Sequence, residues 1–279
     1  MAIEIRVVAG ENEAASSVEA TGTEQHVITD TERTTFKLSD SQLKDAVEKY
    51  FGRRPTDAYV RSPTPWDDLY KTYGWQQVTT ILKVTNAQIL GLETQPTIVK
   101  TQEFRNESSK RATFDVSISE QVQNSSSSTW SVGGELSIGQ KITYGIDFIV
   151  KGSGETSLNY SQNWGVGGTY SDSVTLGSTS GITVDLDPNE AVVVELTASR
   201  GSLRVKLDYD AYLTGYTACN YYPPYNDHYF WALPIDEVME AAGIKNSVPS
   251  TEELKIGYYS DSKIVVKDAL GRQRASFLV

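Results

Sequence analysis

Histidine, cysteine and basic side chains are scarce in this chain of 279 residues. The two histidines, His26 and His228, leave almost no material for a His-rich metal site or a His-based catalytic triad. The single cysteine, Cys219, excludes an intramolecular disulfide. The 36 acidic residues outnumber the 25 basic ones and give a formal net charge of −11. This charge argues against nucleic acid as a partner, because phosphate contacts need a basic face.

The sequence also lacks the motifs on which many enzymes and membrane helices depend. No run approaches the roughly 18–20 consecutive apolar residues of a spanning helix, and Met1–Val8 lacks the apolar core of a signal peptide. Residues 185–189 superficially suggest a calcium loop, but Glu190 and Leu196 stand where that loop needs glycine and glutamate. A plain hairpin turn is the better interpretation. We therefore expect no catalytic residues, no metal site and no cofactor.

Hydroxyl side chains and β-type patterning are abundant instead. Serine and threonine together number 56. From Phe114 to Val150, apolar residues occupy almost only even positions, whereas serine, threonine and charged residues fill most odd ones. A period of two held over this length would extend about 120 Å if straight, at ~3.3 Å per residue. The sequence therefore predicts a mainly β protein that is either elongated or bent at its glycines.

A glycine-rich turn, Lys151–Glu155, interrupts this alternation, which resumes from Leu158. We interpret residues 131–171 as a long amphipathic hairpin. The residues predicted to form its apolar, membrane-inserting face are Val132, Leu136, Ile138, Ile142, Tyr144, Ile146, Phe148, Val150, Leu158, Tyr160, Trp164 and Val166.

Such a hairpin suits a transmembrane β-barrel, in which strands of about 9–11 residues alternate lipid-facing and lumen-facing side chains. Every backbone group must be hydrogen-bonded in lipid, so hairpins from several subunits have to close the barrel, and a homo-oligomer is expected. Before insertion, we expect the hydroxyl-rich face to lie against another sheet. The alternative is an amphipathic strand pair in an elongated sheet that never inserts.

Short helices are predicted outside the hairpin. A capping-box pattern begins at Ser39, and its helix ends at Gly52. A second amphipathic helix follows Pro65, and a third begins after Pro234 and ends at Gly243.

Aromatic residues are dense between positions 209 and 231. Aromatic rings stack on sugars or flank apolar ligands while their polar ends stay in water. The candidate receptor-binding or ligand-binding residues are Tyr216, Tyr221, Tyr222, Tyr225, Tyr229 and Trp231. The alternative is that much of this stretch packs into a core, which explains the segment around Pro223 and Pro224 least well.

Together, the Ser/Thr-rich strand, the glycine-punctuated hairpin and the Asp-Pro turn after it resemble the aerolysin-type β-pore-forming toxins. The similarity is to the branch that groups epsilon-toxin with mosquitocidal toxins, and within it to spherulin-like and insect follicular-epithelium yolk proteins. The segments that resemble the latter group are WDDLY at 66–70, QKITYG at 140–145, SQNWGVGG at 161–168 and FWALPI at 230–235.

The resemblance implies an elongated, non-enzymatic β protein with long twisted antiparallel strands and a head that carries a few short helices. It implies a head formed by residues 1–105 and 200–279, and a β tail formed by residues 106–199. The hairpin would insert as an oligomeric pore after the head recognises a membrane receptor, a glycan or a hydrophobic ligand. A secreted protein is expected, although a cytoplasmic one stays open. The alternative function is a non-lytic binding or storage protein on the same fold, such as an egg protein or a pigment carrier.

Overall fold

The fold is built almost entirely from long antiparallel strands, in a computed structural model that describes residues 2–132, 141–150, 154–178 and 182–279. The strands are β1 (Ile3–Ala9), β2 (Ser17–Thr21), β3 (Thr23–Val27), β4 (Asp57–Tyr59), β5 (Thr79–Arg105), β6 (Ala112–Asp115), β7 (Ile118–Val132), β8 (Lys141–Val150), β9 (Gly154–Asn163), β10 (Gly168–Ser178), β11 (Thr183–Leu186), β12 (Ala191–Thr214), β13 (Tyr216–Tyr225), β14 (His228–Pro234), β15 (Val248–Asp268) and β16 (Gln273–Leu278). The helices are α1 (Asp30–Thr35), α2 (Asp40–Phe51), α3 (Pro65–Tyr73) and α4 (Ile235–Ala241), and a 3₁₀ turn spans Glu13–Ala15. The predicted mainly β, elongated architecture is confirmed.

The large sheet has the strand order β10-β7-β15-β12-β5-β3, and β16 pairs with β15 beside this path. Its centre is the 24-residue strand β12, which pairs with β5 on one side and β15 on the other over almost its whole length. Alternate residues of β12 are buried, at even positions up to Ala198 and at odd positions from Gly201, and the two halves of the strand contribute to two hydrophobic cores.

A second sheet covers one face of the large one. Its strand order is β2-β1-β8-β9, in which β8 and β9 form an antiparallel hairpin. The N-terminal strand β1 pairs with β8 in parallel, so that Ile3 lies beside Ile142 and Ala9 beside Phe148. The side chains of these two strands share one hydrophobic core with β12 and β15.

The described residues also form four helices and a small sheet of order β14-β13-β4, and α2 and α4 contribute to the same hydrophobic core as β1 and β8. Helix α2 is amphipathic and buries Leu43, Ala46 and Val47, and it ends at Gly52. The predicted helices after Ser39, Pro65 and Pro234 are all present. Among the helices in the described ranges, none is long and apolar enough to span a bilayer.

The predicted single hairpin is in fact two nested strand pairs. The outer pair joins β7 to β10, and the inner pair joins β8 to β9. The return strand is interrupted at Gly165, whose φ of 76° is a left-handed conformation that glycine adopts without strain. The chain reverses there, so Trp164 and Val166 lie in a turn and not in the continuous strand that the alternation predicted.

Within the large sheet, the Tyr258 side chain of β15 lies over its register partner Gly201 of β12. A Cβ atom at this position would lie 2.4 Å from the ring of Tyr258, which is itself buried and donates a hydrogen bond of 2.5 Å to the carbonyl of Gly10. The ring therefore occupies the space above the glycine and ties β15 to the chain just after β1.

Gly201→Ala is expected to lower the free energy of unfolding by about 1–3 kcal/mol, because the added methyl group overpacks this contact. Urea denaturation measures the change. The matched control is Gly168→Ala, where the new Cβ would meet only the Tyr170 ring at an ordinary 3.6 Å. Equal losses in both variants would show that the Tyr258 contact is not the constraint.

Candidate functional site

The hairpin β8–β9 has one apolar and one polar face. Ile142, Tyr144, Ile146 and Phe148 are buried on β8, and Leu158 is buried on β9. The residues between those of β8 point outward and are exposed or half-buried: Lys141, Thr143, Gly145, Asp147 and Ile149. Strand alternation thus separates a face that is shielded from water from a face that is exposed to it.

The apolar face lies against the large sheet. Phe148 contacts Tyr258 of β15 with ring centroids 5.7 Å apart, and Trp164 contacts Trp130 of β7 at 5.8 Å. The expectation that the hydroxyl-rich face would lie against another sheet was therefore wrong. In water the apolar face is the one that must be covered, and the serine and threonine face needs no cover.

Strand pairing engages one long edge of the hairpin, that of β8, and side-chain contacts hold β9. Strand β1 occupies the outer edge of β8 through seven residue pairs in parallel register. Next to β9, the Tyr160 ring stacks on Tyr144 at 4.7 Å and on Tyr170 of β10 at 4.1 Å. The Tyr160 hydroxyl also hydrogen-bonds Ser126 of β7 at 2.9 Å. The hairpin is thus held at its apolar face, along the edge of β8, and through the Tyr160 side chain of β9.

A carboxylate lies inside the interface between the two sheets. Glu252 of β15 is 0% exposed, and its oxygens accept hydrogen bonds from four neutral side chains. The donors are Ser128 at 2.6 Å, Tyr144 at 2.9 Å, Tyr209 at 2.8 Å and Gln162 at 2.9 Å. We refer to these five residues as the Glu252 cluster.

Burial raises the pKa of Glu252, because the interior disfavours the charged form, and its four hydrogen bonds offset only part of that effect. The pKa of Tyr144 and that of Tyr209 are also raised by burial and by the nearby Glu252 charge. Sequence reasoning missed this cluster, because the adjacent glutamates Glu252 and Glu253 are ordinarily interpreted as a solvent-exposed pair. The signal that it is buried is the even-position alternation of Leu254, Ile256 and Tyr258 along β15.

The remaining hairpin residues have mixed placements. Leu136 and Ile138 lie outside the described residues, and only the backbone of Val132 and Val150 is described. Val166 is 54% exposed, so it does not belong to the packed apolar face.

The tyrosine-rich segment divides into a buried and an exposed set. Tyr221 is fully buried and donates a hydrogen bond of 3.0 Å to the carbonyl of Arg53, so it supports the head and does not form its surface. Tyr225 and Trp231 pack around Phe51 at ring distances of 5.3 and 4.8 Å. Core packing, the alternative interpretation, explains these three.

The exposed set consists of Tyr222, Tyr229 and Tyr216. Tyr222 is 76% and Tyr229 49% exposed, and their rings are roughly parallel with centroids 6.5 Å apart. Tyr216 is 40% exposed at the start of β13. These residues retain the geometry for surface contacts.

A second aromatic surface was missed by the sequence reasoning. Trp66 lies 5.2 Å from Phe230 and 6.3 Å from Tyr59, and Tyr73 lies 6.3 Å from Phe230. Neighbouring residues of a strand face opposite sides of the sheet. The aromatic surface around Phe230 and the one around Tyr229 therefore lie on opposite faces of β14.

The described residues offer little for catalysis. They contain no group of three or more His, Cys, Asp or Glu side chains that could hold a metal ion. Cys219 is buried, and desolvation raises the pKa of its thiol to about 12. The acidic turn at 185–189 is a hairpin turn in which the Asp187 amide donates to Glu190 and Arg111 pairs with Asp185.

Tryptophan accessibility tests how the hairpin packs in solution. Trp164 is buried beneath the large sheet, whereas Trp66 is 43% exposed. We expect Trp164→Phe to remove a fluorescence component that acrylamide does not quench, and Trp66→Phe to remove a strongly quenched one. Ready quenching of the Trp164 component in the water-soluble protein would contradict the packed hairpin.

Curated relatives match the chain over most of its length. It is 37% identical to U-megalopygitoxin(8)-Mc8 of Megalopyge crispata over 91% of this chain and 87% of that protein. It is 36% identical to U-megalopygitoxin(8)-Mo12 of Megalopyge opercularis over 92% of this chain and 89% of that protein. No family model matches.

A solved structure shows the same fold. Parasporin-2, a Bacillus thuringiensis toxin, superposes with a TM-score of 0.65 at 16% identity, covering 92% of this chain and all of that one. The narrower likeness to spherulin-like and yolk proteins stays a prediction. By its toxin relatives and its architecture, the chain belongs to the U-megalopygitoxin(8) family and has the aerolysin-like fold.

Proposed function

We propose that this protein is a secreted, non-enzymatic toxin that forms oligomeric β-barrel pores through the hairpin β8–β9. The observation that carries the proposal is the hairpin itself, an amphipathic strand pair whose apolar face packs on the outside of the large sheet. The aerolysin-like fold and the toxin relatives support a pore-forming role in general.

The dimensions of the hairpin fit a membrane crossing. Strands β8 and β9 each contain ten residues, and a tilted barrel strand needs about 9–11. The face now packed on the large sheet would contact lipid, and the face with Thr143 and Ser161 would line the aqueous lumen. The charged Lys141 and Asp147 lie on that polar face, where water solvates them.

Closure of the barrel requires free strand edges. In lipid, the backbone groups on both edges of the hairpin need partners, which only the hairpins of neighbouring subunits supply. The outer edge of β8 is occupied by β1 in the described structure. Pore formation therefore requires β1 to leave this edge, along with separation of the hairpin from the large sheet.

The head, in this proposal residues 1–105 and 200–279, recognises the target membrane. The surface formed by Tyr222 and Tyr229 is the favoured contact, because both rings are exposed and lie side by side. With a net charge of −11, attraction to an anionic bilayer is unfavourable, so a specific receptor or glycan is the expected partner.

A disulfide between β1 and β8 is expected to abolish pore formation. Glu4 and Thr143 are register partners with exposed side chains, and neighbouring strands lie at a suitable distance for a disulfide. The oxidised Glu4→Cys/Thr143→Cys variant should release no dye from loaded target cells and form no detergent-resistant oligomer. Reduction should restore both.

The matched control places the disulfide within the hairpin. Asp147 and Ser157 are register partners of β8 and β9, so a bond between them does not tie β8 to β1 and leaves β1 able to separate. The oxidised Asp147→Cys/Ser157→Cys variant is expected to lyse cells. If neither the wild type nor this control ever leaks membranes, the pore proposal is wrong, and a ligand found by organic extraction would favour the storage or carrier function instead.

Paired substitutions test which aromatic surface recognises cells. Tyr222→Ala/Tyr229→Ala is expected to lower cell binding at least tenfold, because stacked aromatic contacts contribute about 1–3 kcal/mol. Trp66→Ala/Tyr73→Ala on the opposite face should bind like the wild type. Flow cytometry with labelled protein measures both, and the reverse pattern would move recognition to the Trp66 surface.

A further inference from the structure

Five strands meet at one buried carboxylate. The Glu252 cluster takes Tyr144 and Gln162 from the hairpin, and Ser128, Tyr209 and Glu252 from β7, β12 and β15 of the large sheet. The contacts between Glu252 and the two hairpin residues are direct polar links across the interface, in addition to the hydrogen bonds of Tyr160 with Ser126 and of Gln162 with Ser128. Removing the hairpin breaks these links and exposes the carboxyl group to water.

We propose that Glu252 is the positioning residue that holds the hairpin β8–β9 on the large sheet, and that its protonation state sets how readily the hairpin leaves. This inference rests on the proposed pore-forming function, because it assigns to one residue the control of the release step.

The cluster accommodates the carboxyl group in both protonation states. The carboxylate accepts from Ser128, Tyr144, Tyr209 and the Gln162 amide nitrogen. The protonated acid needs an acceptor, and the Gln162 Oε1 atom is buried without a hydrogen-bond partner among the described residues. A rotation of the Gln162 amide places this oxygen where the nitrogen was, so that it accepts the new proton.

The two states differ in electrostatic cost. Within the ranges that the structure describes, the hydrogen-bond partners of Glu252 are neutral, so the ionised carboxyl has hydrogen bonds but no countercharge. A buried charge without a countercharge is less favourable than the neutral acid in the same site. Glu252 thus binds a proton more tightly while the hairpin is packed on the large sheet than after the hairpin is released.

This difference fixes the direction of the pH dependence. The pKa of Glu252 is raised while the hairpin is packed and returns to its ordinary range when release exposes it. The stabilisation of the packed state is complete below the ordinary carboxyl pKa and is lost as pH rises through the raised value. Release is therefore favoured by rising pH, by up to about tenfold for each unit that separates the two pKa values.

The other titratable groups around Glu252 do not supply this effect. Tyr144 of β8, Tyr160 of β9 and Tyr209 of β12 all have a pKa raised by burial, so they stay neutral through the pH range in question. Ser128 of β7 does not titrate. Glu252 is thus the group in the cluster whose change of charge the proposal invokes.

Hydrogen exchange of the β8–β9 amides between pH 5 and 9, corrected for intrinsic exchange, measures hairpin opening in solution without any membrane. In the wild type, protection of these amides relative to those of β12 should fall as pH rises. In Glu252→Gln, which keeps a neutral side chain of the same shape, protection should stay high and independent of pH.

A matched control separates this effect from a general loss of charge. Glu253→Gln removes the neighbouring carboxylate, which is exposed, and should show the wild-type profile. Glu252→Ala leaves the donors of Tyr144, Tyr209 and Ser128 without their acceptor and should expose the hairpin amides at every pH. Identical profiles in the wild type and Glu252→Gln would overturn the proposal.

Dye release from target cells at the same pH values tests the link to function. Glu252→Gln is expected to leak more slowly than the wild type at high pH and equally at low pH. If the wild type never leaks but its hairpin loosens with pH through Glu252, the pore function fails while the positioning role stands. If the wild type leaks and Glu252→Gln leaks with the same pH profile, the positioning role fails and the pore function stands.

Discussion

The structure depends on the need to cover one apolar face in water. The hairpin carries Ile142, Ile146 and Phe148 on a single side, and a free hairpin with that surface would aggregate in water. The large sheet supplies the cover, with the alternating inward residues of β12 and β15 forming the opposite wall. The position of β1 at the edge of β8 meets a second need, because it pairs the backbone groups that the hairpin would otherwise leave open. In the proposed pore, lipid would meet the first requirement and neighbouring subunits the second, so the same residues would suit both states.

The interface is not uniformly apolar, and the exception is informative. A core made only of Leu, Ile and Phe would hold the hairpin by a free energy that hardly depends on solution conditions. Here Tyr144 and Gln162 of the hairpin meet a buried glutamate, which makes the strength of the contact depend on a proton. Buried polar networks of this kind also fix register, because a slip of one residue would turn Tyr144 away from Glu252 and leave the buried donors and acceptor unpaired.

Much of the fold is predictable from local sequence. The period-two pattern and the capping signals at Ser39 and Gly52 have local physical causes, and they predict the β class, the paired strands and the helices, whereas the predicted turn at 151–155 falls largely outside the described residues. The nested arrangement is not predictable in this way, because the parallel pairing of β1 with β8 joins segments about 140 residues apart in sequence. The site is harder still. Tyr221 and Tyr222 are adjacent and chemically identical, yet one is buried and the other is 76% exposed, and Glu252 is buried only because β15 continues the alternation of a core strand through a charged position.

The pairing of β12 has a consequence for how the chain reaches this structure. The 24 residues of β12 are hydrogen-bonded to β5, which precedes it by roughly a hundred positions, and to β15, which follows it. The central sheet therefore cannot form until most of the chain is available, and its closure entropy must be overcome before the long ladders stabilise it. Such a topology folds slowly, and during that time the hairpin has no wall to pack against. The protein is thus most exposed to premature association while it is being made, before its own sheet can cover the apolar face of the hairpin.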